Sequence, residues 1–271
     1  MTDAERLSGY VDVWWRAVDD FTQLLESVPV AQWSTPTDLP GWDVHACAAH
    51  TAHLESVLAG GPEETIEVEV PAYVRGILGV YTEQGVVARR DRTPDELINE
   101  IREATTARHT RLVASPPEDG AATPEVMFGG VGWSWERLLR NRPLDVWMHE
   151  QDVRRAVGRP GGLDSPAAQH TTEYLLESLG LVLAKRAAAP SGTTLVAEVE
   201  GSGPAAFVVD GERRGVPLGH VPDRPTIRMC MSRESFILLA GGRRTPAEVP
   251  VEVDGDEGLA AVVLGVMAVT P

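Results

Sequence analysis

The pattern of apolar residues changes once along the chain, close to residue 190. Before that point, apolar residues recur at helical spacing in several long segments, the first of them over residues 3–28. After it come short runs rich in β-branched residues, such as TTLVAEVEG and AAFVVDG, which Gly, Pro and Asp separate. We therefore predict an α-helical domain over residues 1–188 and a small α+β domain over residues 192–271.

Local signals indicate where the helices of the first domain begin. Asp43 follows the turn sequence PTDLPGW and is a good cap for a second helix that runs to about Leu58. Residues 71–90 have the character of another helix, and Thr93 followed by a proline begins the next. Pro143 lies inside a further helical segment, where it either kinks the helix or begins a new one.

Composition argues against several classes of partner. The chain of 271 residues has 40 acidic and 24 basic residues, a formal charge of −16, which disfavours nucleic acid and anionic membranes as partners. A run of about 18 apolar residues, as a membrane span needs, is missing, and so is the basic start of a secretory signal. Two cysteines do not make a disulfide framework. We therefore expect a cytoplasmic protein.

Two short stretches contain potential metal ligands. GWDVHACAAHTAHLE holds His45, His50 and His53, and on a helix His50 and His53 share a face while His45 points elsewhere. In PLDVWMHEQDVRRAVGRP, Asp145 and His149 lie four residues apart, so both reach one ion from the same face. Two histidines and a carboxylate leave positions open for water or substrate. The residues alone also allow ordinary packed or surface histidines.

Three segments resemble one known family. LPGWDVHACAAHTAHLE is similar to the start of the second helix in DinB-like metal-binding proteins, in the branch of mycothiol-dependent maleylpyruvate isomerase and mycothiol S-transferase. RPLDVWMHEQDVRRAVGRP resembles a later helix of that family, and VEVDGDEGLAAVVLGVMAVTP resembles its small second domain. The resemblance spans nearly the whole chain. It implies an up-and-down helical bundle followed by a small α+β domain of the sterol-carrier type.

The resemblance also implies roles for individual residues. Matched to the family pattern, the metal ligands fall on His50, Asp145 and His149, and the acid is one methylene shorter than the Glu that is frequent in the isomerase. His53 and Asp152 then fall close to the ligands, as groups that orient them or face the substrate.

The chemistry implied by the resemblance is thiol activation. A divalent metal, with zinc the expected ion, would hold mycothiol as a thiolate that attacks a small electrophile. The product is either an isomer or a thiol conjugate. We expect the protein to be a monomer or a homodimer. Mycothiol is the thiol of actinobacteria, and a single lysine, Lys185, among 24 basic residues fits a GC-rich genome of that kind. The alternative is a non-catalytic protein that binds a metal or a small ligand.

Arginines are the candidate groups for an anionic substrate. Arg75 lies near the start of the segment predicted as the third helix, residues 71–90, and Arg243 with Arg244 lies in the turn AGGRR, where glycine lets a backbone approach a ligand. Each of the three could equally lie on a solvated surface.

Overall fold

In the computed structural model, which describes residues 1–270, five α-helices form the N-terminal compact unit, Met1–Gly162. They are α1 (Asp3–Ser27), α2 (Val44–Leu58), α3 (Gly76–Ala88), α4 (Pro94–Ala114) and α5 (Trp135–Ala156). Within the described residues, the four longest helices form a closed ring of neighbours, because α1 packs on α4 and α5 and α2 packs on the same two. α3 packs on the outside of α2.

The helix starts follow the capping signals of the sequence. The Asp43 side chain accepts a hydrogen bond from the Ala46 backbone N–H at 2.8 Å, and Thr93 forms a reciprocal capping box with Glu96. The segment predicted as a helix over residues 71–90 becomes helical only at Gly76, whose φ of +67° is left-handed and interrupts a helix on its N-terminal side. α5 continues through Pro143, so no new helix begins there.

α2 is the most buried of these helices. Alanines on several of its sides let the neighbouring helices approach closely, and all of them are nearly inaccessible to solvent: Ala46, Ala48, Ala49 and Ala52. This environment buries the polar residues of α2 as well, His50, His53 and Glu55 among them. The histidines of the sequence motif therefore lie in the interior of the helical unit and not on its surface.

The C-terminal compact unit, Leu163–Pro271, contains a mixed five-stranded sheet. Its elements are α6 (Pro166–Glu177), α7 (Leu179–Leu181), a π-helical turn (Val182–Arg186), β1 (Thr194–Val199), β2 (Ala205–Val209), β3 (Gly215–Pro217), β4 (Ile227–Met231), α8 (Arg233–Ala240), β5 (Glu252–Gly255) and α9 (Glu257–Gly265). The strand order is β3-β2-β1-β4-β5, with β1 and β4 parallel and the other pairs antiparallel. Alternate residues of β4 are buried: Ile227, Met229 and Met231.

The predicted fold class is confirmed: a helical N-terminal part precedes a small sheet domain. Strands begin at Thr194, where the sequence pattern changes, whereas the compact units divide at Gly162, so that α6 belongs to the second unit. The domain boundary at residues 188–192 stays a prediction.

β3 was not predicted, because three residues without alternation give no strand signal. Among the described residues, none of the helices combines the length and the apolar character that crossing a membrane requires.

Candidate metal centre

Three side chains from α2 and α5 meet inside the helical unit. One possible ligand atom each of His50, Asp145 and His149 lies within 4.8 Å of the other two. Asp145 Oδ2 is 3.4 Å from His50 Nε2, and Asp145 Oδ1 is 3.8 Å from His149 Nε2. Both histidines are buried, while 22% of the Asp145 side chain is exposed. The three residues of the sequence motifs are therefore brought together around one point with an opening at the carboxylate.

The protonation states of His50 and Asp145 suit the binding of a cation. Burial lowers the pKa of His50 despite the neighbouring carboxylate, so its imidazole is neutral at physiological pH and offers a lone pair. Burial acts to raise the pKa of Asp145, but Arg142 and His50 outweigh it and hold that pKa well below its usual range. Within the described residues, Nδ1 of His50 has no hydrogen-bond partner. A neutral imidazole and an ionised carboxylate are what zinc and similar ions require of their ligands.

An aromatic wall covers one side of the two histidines. The Trp42 ring centroid lies 5.1 Å from that of His50 and 5.7 Å from that of His149. Trp42 Nε1 donates to Glu83 Oε2 at 3.1 Å, and the hydroxyl of Tyr73 donates to Glu83 Oε1 at 3.1 Å. Glu83 on α3 therefore fixes the indole against the site. Glu83 could not be identified from the sequence, because a lone Glu in a helix is ordinarily a surface residue.

Behind the site lies a buried ionic cluster. Arg142 Nη1 donates to Asp145 Oδ2 at 2.9 Å, and its Nε and Nη2 donate to Glu55 Oε1 at 3.0 and 2.8 Å. Glu55 also accepts from Trp14 Nε1 and Arg108 Nη1, each at 3.0 Å. Burial acts to raise the pKa of Glu55, but the two guanidiniums outweigh it and the pKa is lowered. Two carboxylates and two guanidiniums thus balance their charges in the interior.

Asp152 lies beside the predicted ligand His149. Asp152 Oδ2 is 3.3 Å from His149 Nδ1, and its Oδ1 accepts a hydrogen bond from Arg155 Nη2 at 2.6 Å. This position is compatible with orientation of the imidazole, which stays a prediction. Glu150, the neighbouring acid, instead accepts from Arg154 Nε at 2.6 Å and is not part of the group around Asp145.

His53 is not part of that group either. It is buried one turn further along α2, with its ring 5.0 Å from that of Tyr81 and its Nδ1 3.5 Å from Arg89 Nη1. Gly85 lies so close that an added Cβ would come within 2.2 Å of the His53 ring. Its surroundings are therefore those of a packed histidine, and a role toward ligand or substrate stays a prediction.

The arginines proposed for anion binding lie in different surroundings. Arg75 is exposed at the start of α3. Arg243, in the C-terminal unit, is buried and donates to the Gly241 carbonyl at 2.6 Å and to Thr270 Oγ1 at 3.1 Å, while Arg244 donates to the Arg243 carbonyl at 2.9 Å. Arg243 thus closes the turn of its own chain, and anion binding by any of the three stays a prediction.

We expect His53 to make the fold sensitive to acid. Burial and the neighbouring Arg89 lower the pKa of His53 from 6.5 to about 3, so the unfolded chain takes up a proton below pH 6.5 that the folded protein does not. Stability is therefore lost as the pH falls from 6.5 toward 3, by about 1.4 kcal/mol per pH unit from this group. Urea unfolding at pH 7 and pH 5 should show a loss about 2 kcal/mol larger in the wild type than in His53→Gln. Parallel pH profiles of the two proteins would contradict this.

Comparison with known proteins agrees with the fold. Residues 14–154 match the sequence model of the mycothiol maleylpyruvate isomerase N-terminal domain, and residues 169–261 match that of the C-terminal domain of the same family. A crystal structure of the mycothiol-dependent maleylpyruvate isomerase is similar with a TM-score of 0.57 and 17% identity, over 94% of this chain and 96% of that one. A histidine-to-alanine mutant of that enzyme gives a TM-score of 0.57 and 16% identity over the same shares. A search of curated protein sequences found no match. The chain therefore belongs to the mycothiol maleylpyruvate isomerase family of enzymes.

Proposed function

We propose that this protein is a zinc-dependent isomerase that uses mycothiol as its thiol cosubstrate. The observation that carries the proposal is the meeting of His50, Asp145 and His149, with ligand atoms within 4.8 Å of one another, in a chain of this family. Two imidazoles and one carboxylate are a known ligand set of catalytic zinc, and they leave a position for a further ligand. Zinc, when bound, lowers the pKa of a thiol so that the thiolate exists at neutral pH.

The residues around the ligands prepare the site for this chemistry. Arg142 keeps Asp145 ionised, and the neutral His50 presents a lone pair without having to lose a proton first. The Trp42 indole shields one side of the imidazoles from water, while the partly exposed Asp145 marks the side from which small molecules enter. Cys47, also on α2, is fully buried, so within the helical unit the nucleophile of the proposed reaction is the thiol of the cosubstrate.

The reaction that fits these parts is reversible addition of the thiolate to an activated carbon–carbon double bond, as in maleylpyruvate. The carbon–sulfur bond forms, the former double bond rotates as a single bond, and elimination of the thiolate restores the double bond in the other geometry. Mycothiol is therefore regenerated and not consumed. An S-transferase would use the same activated thiol but release a stable conjugate. We place the enzyme in the cytoplasm, where the free thiols of Cys47 and Cys230 and the cosubstrate stay reduced, as a monomer or homodimer.

One experiment with two measurements tests the proposal. Protein from zinc-replete growth should contain about one zinc per chain. It should also convert maleylpyruvate to the trans isomer with mycothiol present in less than stoichiometric amount, and the thiol titre should be unchanged after many turnovers.

Three outcomes would contradict parts of it. Stoichiometric loss of thiol would indicate an S-transferase. Isomerisation by a metal-free protein would show that the reaction does not require zinc. Metal without thiol-dependent turnover of any electrophile would favour the alternative of a binding protein.

A further inference from the structure

Arg142 connects the candidate ligand Asp145 to the rest of the helical unit through Glu55, whereas the proposed function uses only its charge. Its side chain is fully buried, and its planar guanidinium spans two carboxylates. Nε and Nη2 donate to one oxygen of Glu55, and Nη1 donates to Oδ2 of Asp145. A guanidinium makes such contacts in a fixed fork, so the position of one carboxylate determines the position of the other.

The bridge acts on one carboxylate oxygen only. Asp145 Oδ2 accepts from Arg142 and also faces His50 Nε2 at 3.4 Å, whereas Oδ1 faces His149 Nε2 at 3.8 Å. Glu55 cannot follow Asp145 if the latter moves, because Trp14 and Arg108 hold it from two other helices. The carboxylate is therefore held at Oδ2, beside His50, while Oδ1 stays directed toward His149.

We propose that Arg142, fixed by Glu55, is the positioning residue of the centre, and that it holds Asp145 by Oδ2 so that Oδ1 is the oxygen available to a cation. This rests on the proposed function, since the cation is the zinc of that proposal. Arg142 touches neither the metal nor the substrate in this role. Its effect on the centre passes entirely through the orientation and charge of Asp145.

Arg108 is a matched control from the same cluster. It is almost as deeply buried as Arg142 and donates to the other oxygen of Glu55, Oε2, at 3.0 Å. It also lies over the Trp14 ring, 4.7 Å from the centroid. Among the hydrogen bonds and ion pairs of the described residues, none joins it to Asp145. Loss of its guanidinium therefore disturbs the cluster without directly releasing the candidate ligand.

The test compares Arg142→Lys with Arg108→Lys. Lysine keeps the charge but cannot donate to two carboxylates in a fixed fork. Zinc affinity, measured by competition with a chromophoric chelator, should fall about 10- to 100-fold in Arg142→Lys and change less than about threefold in Arg108→Lys. The melting temperature of the metal-free protein should fall in both. Arg142→Gln is the second variant if the lysine does not fold, because Glu55 keeps Arg108 as its counter-charge, and the same loss of affinity is expected.

The outcomes separate this inference from the proposed function. Unchanged zinc affinity in the Arg142 variants, or an equal loss in Arg108→Lys, would overturn the positioning role while the zinc centre stands. A wild-type protein without zinc affinity would overturn the proposed function, and the positioning role with it.

Discussion

Asp145→Asn should abolish activation of mycothiol and lower zinc affinity by at least about 100-fold, more than the loss of a residue that only supports a ligand. The amide has nearly the shape of the carboxylate but lacks its negative charge, which both a cation and Arg142 require. The measurements are chelator competition for zinc and the pKa of bound thiol from the pH dependence of its absorbance. Full zinc occupancy in this variant would show that Asp145 is not a ligand.

Glu150→Gln is the matched control for that substitution. Glu150 is the other acid next to His149, but it pairs with Arg154 and should affect neither zinc affinity nor thiol activation. Burial raises its pKa to about 7, so the stability that this carboxyl contributes is present at low pH and lost as the pH rises through 7. Glu150→Gln should therefore be at least as stable as the wild type at pH 8. Loss of zinc from this variant would show that the ligand role has been assigned to the wrong acid.

Glu55→Gln should be the most destabilising of the conservative substitutions, by about 3–5 kcal/mol in the free energy of unfolding. It leaves two buried guanidiniums, Arg108 and Arg142, without the carboxylate that both share. Urea unfolding measures the effect, with Glu26→Gln as the control, since Glu26 and its partner Arg102 are both about half exposed. Such a surface pair is worth about 1 kcal/mol or less. Similar losses in the two variants would mean that the buried cluster contributes little to stability.

Part of the candidate centre could be predicted from spacing alone. Asp145 and His149 lie four residues apart on one helix, and the structure has them on one face. Spacing could not choose between His50 and His53, because both lie on the same side of α2. Which of them meets α5 depends on how the two helices cross, and that is set by packing and not by either sequence segment. The family resemblance supplied the choice of His50.

The cluster around Glu55 could not be predicted for a different reason. Glu55, Arg108 and Arg142 are far apart in sequence, and each one alone has the appearance of an ordinary charged surface residue of an amphipathic helix. Their burial follows from the alanines of α2, which bring four helices close enough for long side chains to meet inside. The alanines of α2 thus indicated close packing of the helices in the sequence, but they did not identify which charged side chains would be buried.

The helices that supply the partners of Glu55 determine when, during synthesis of the chain, the candidate site can form. Trp14, Arg108 and Arg142 come from α1, α4 and α5, and the last of these also supplies two of the three candidate ligands. During synthesis, α1, α2 and α4 leave the ribosome before α5, and in that interval Glu55 lacks the guanidinium that leads to the site. A metal held by this ligand set can therefore be captured only after α5 has been synthesised. The zinc that we propose would be delivered to a helical unit whose last helix is already made.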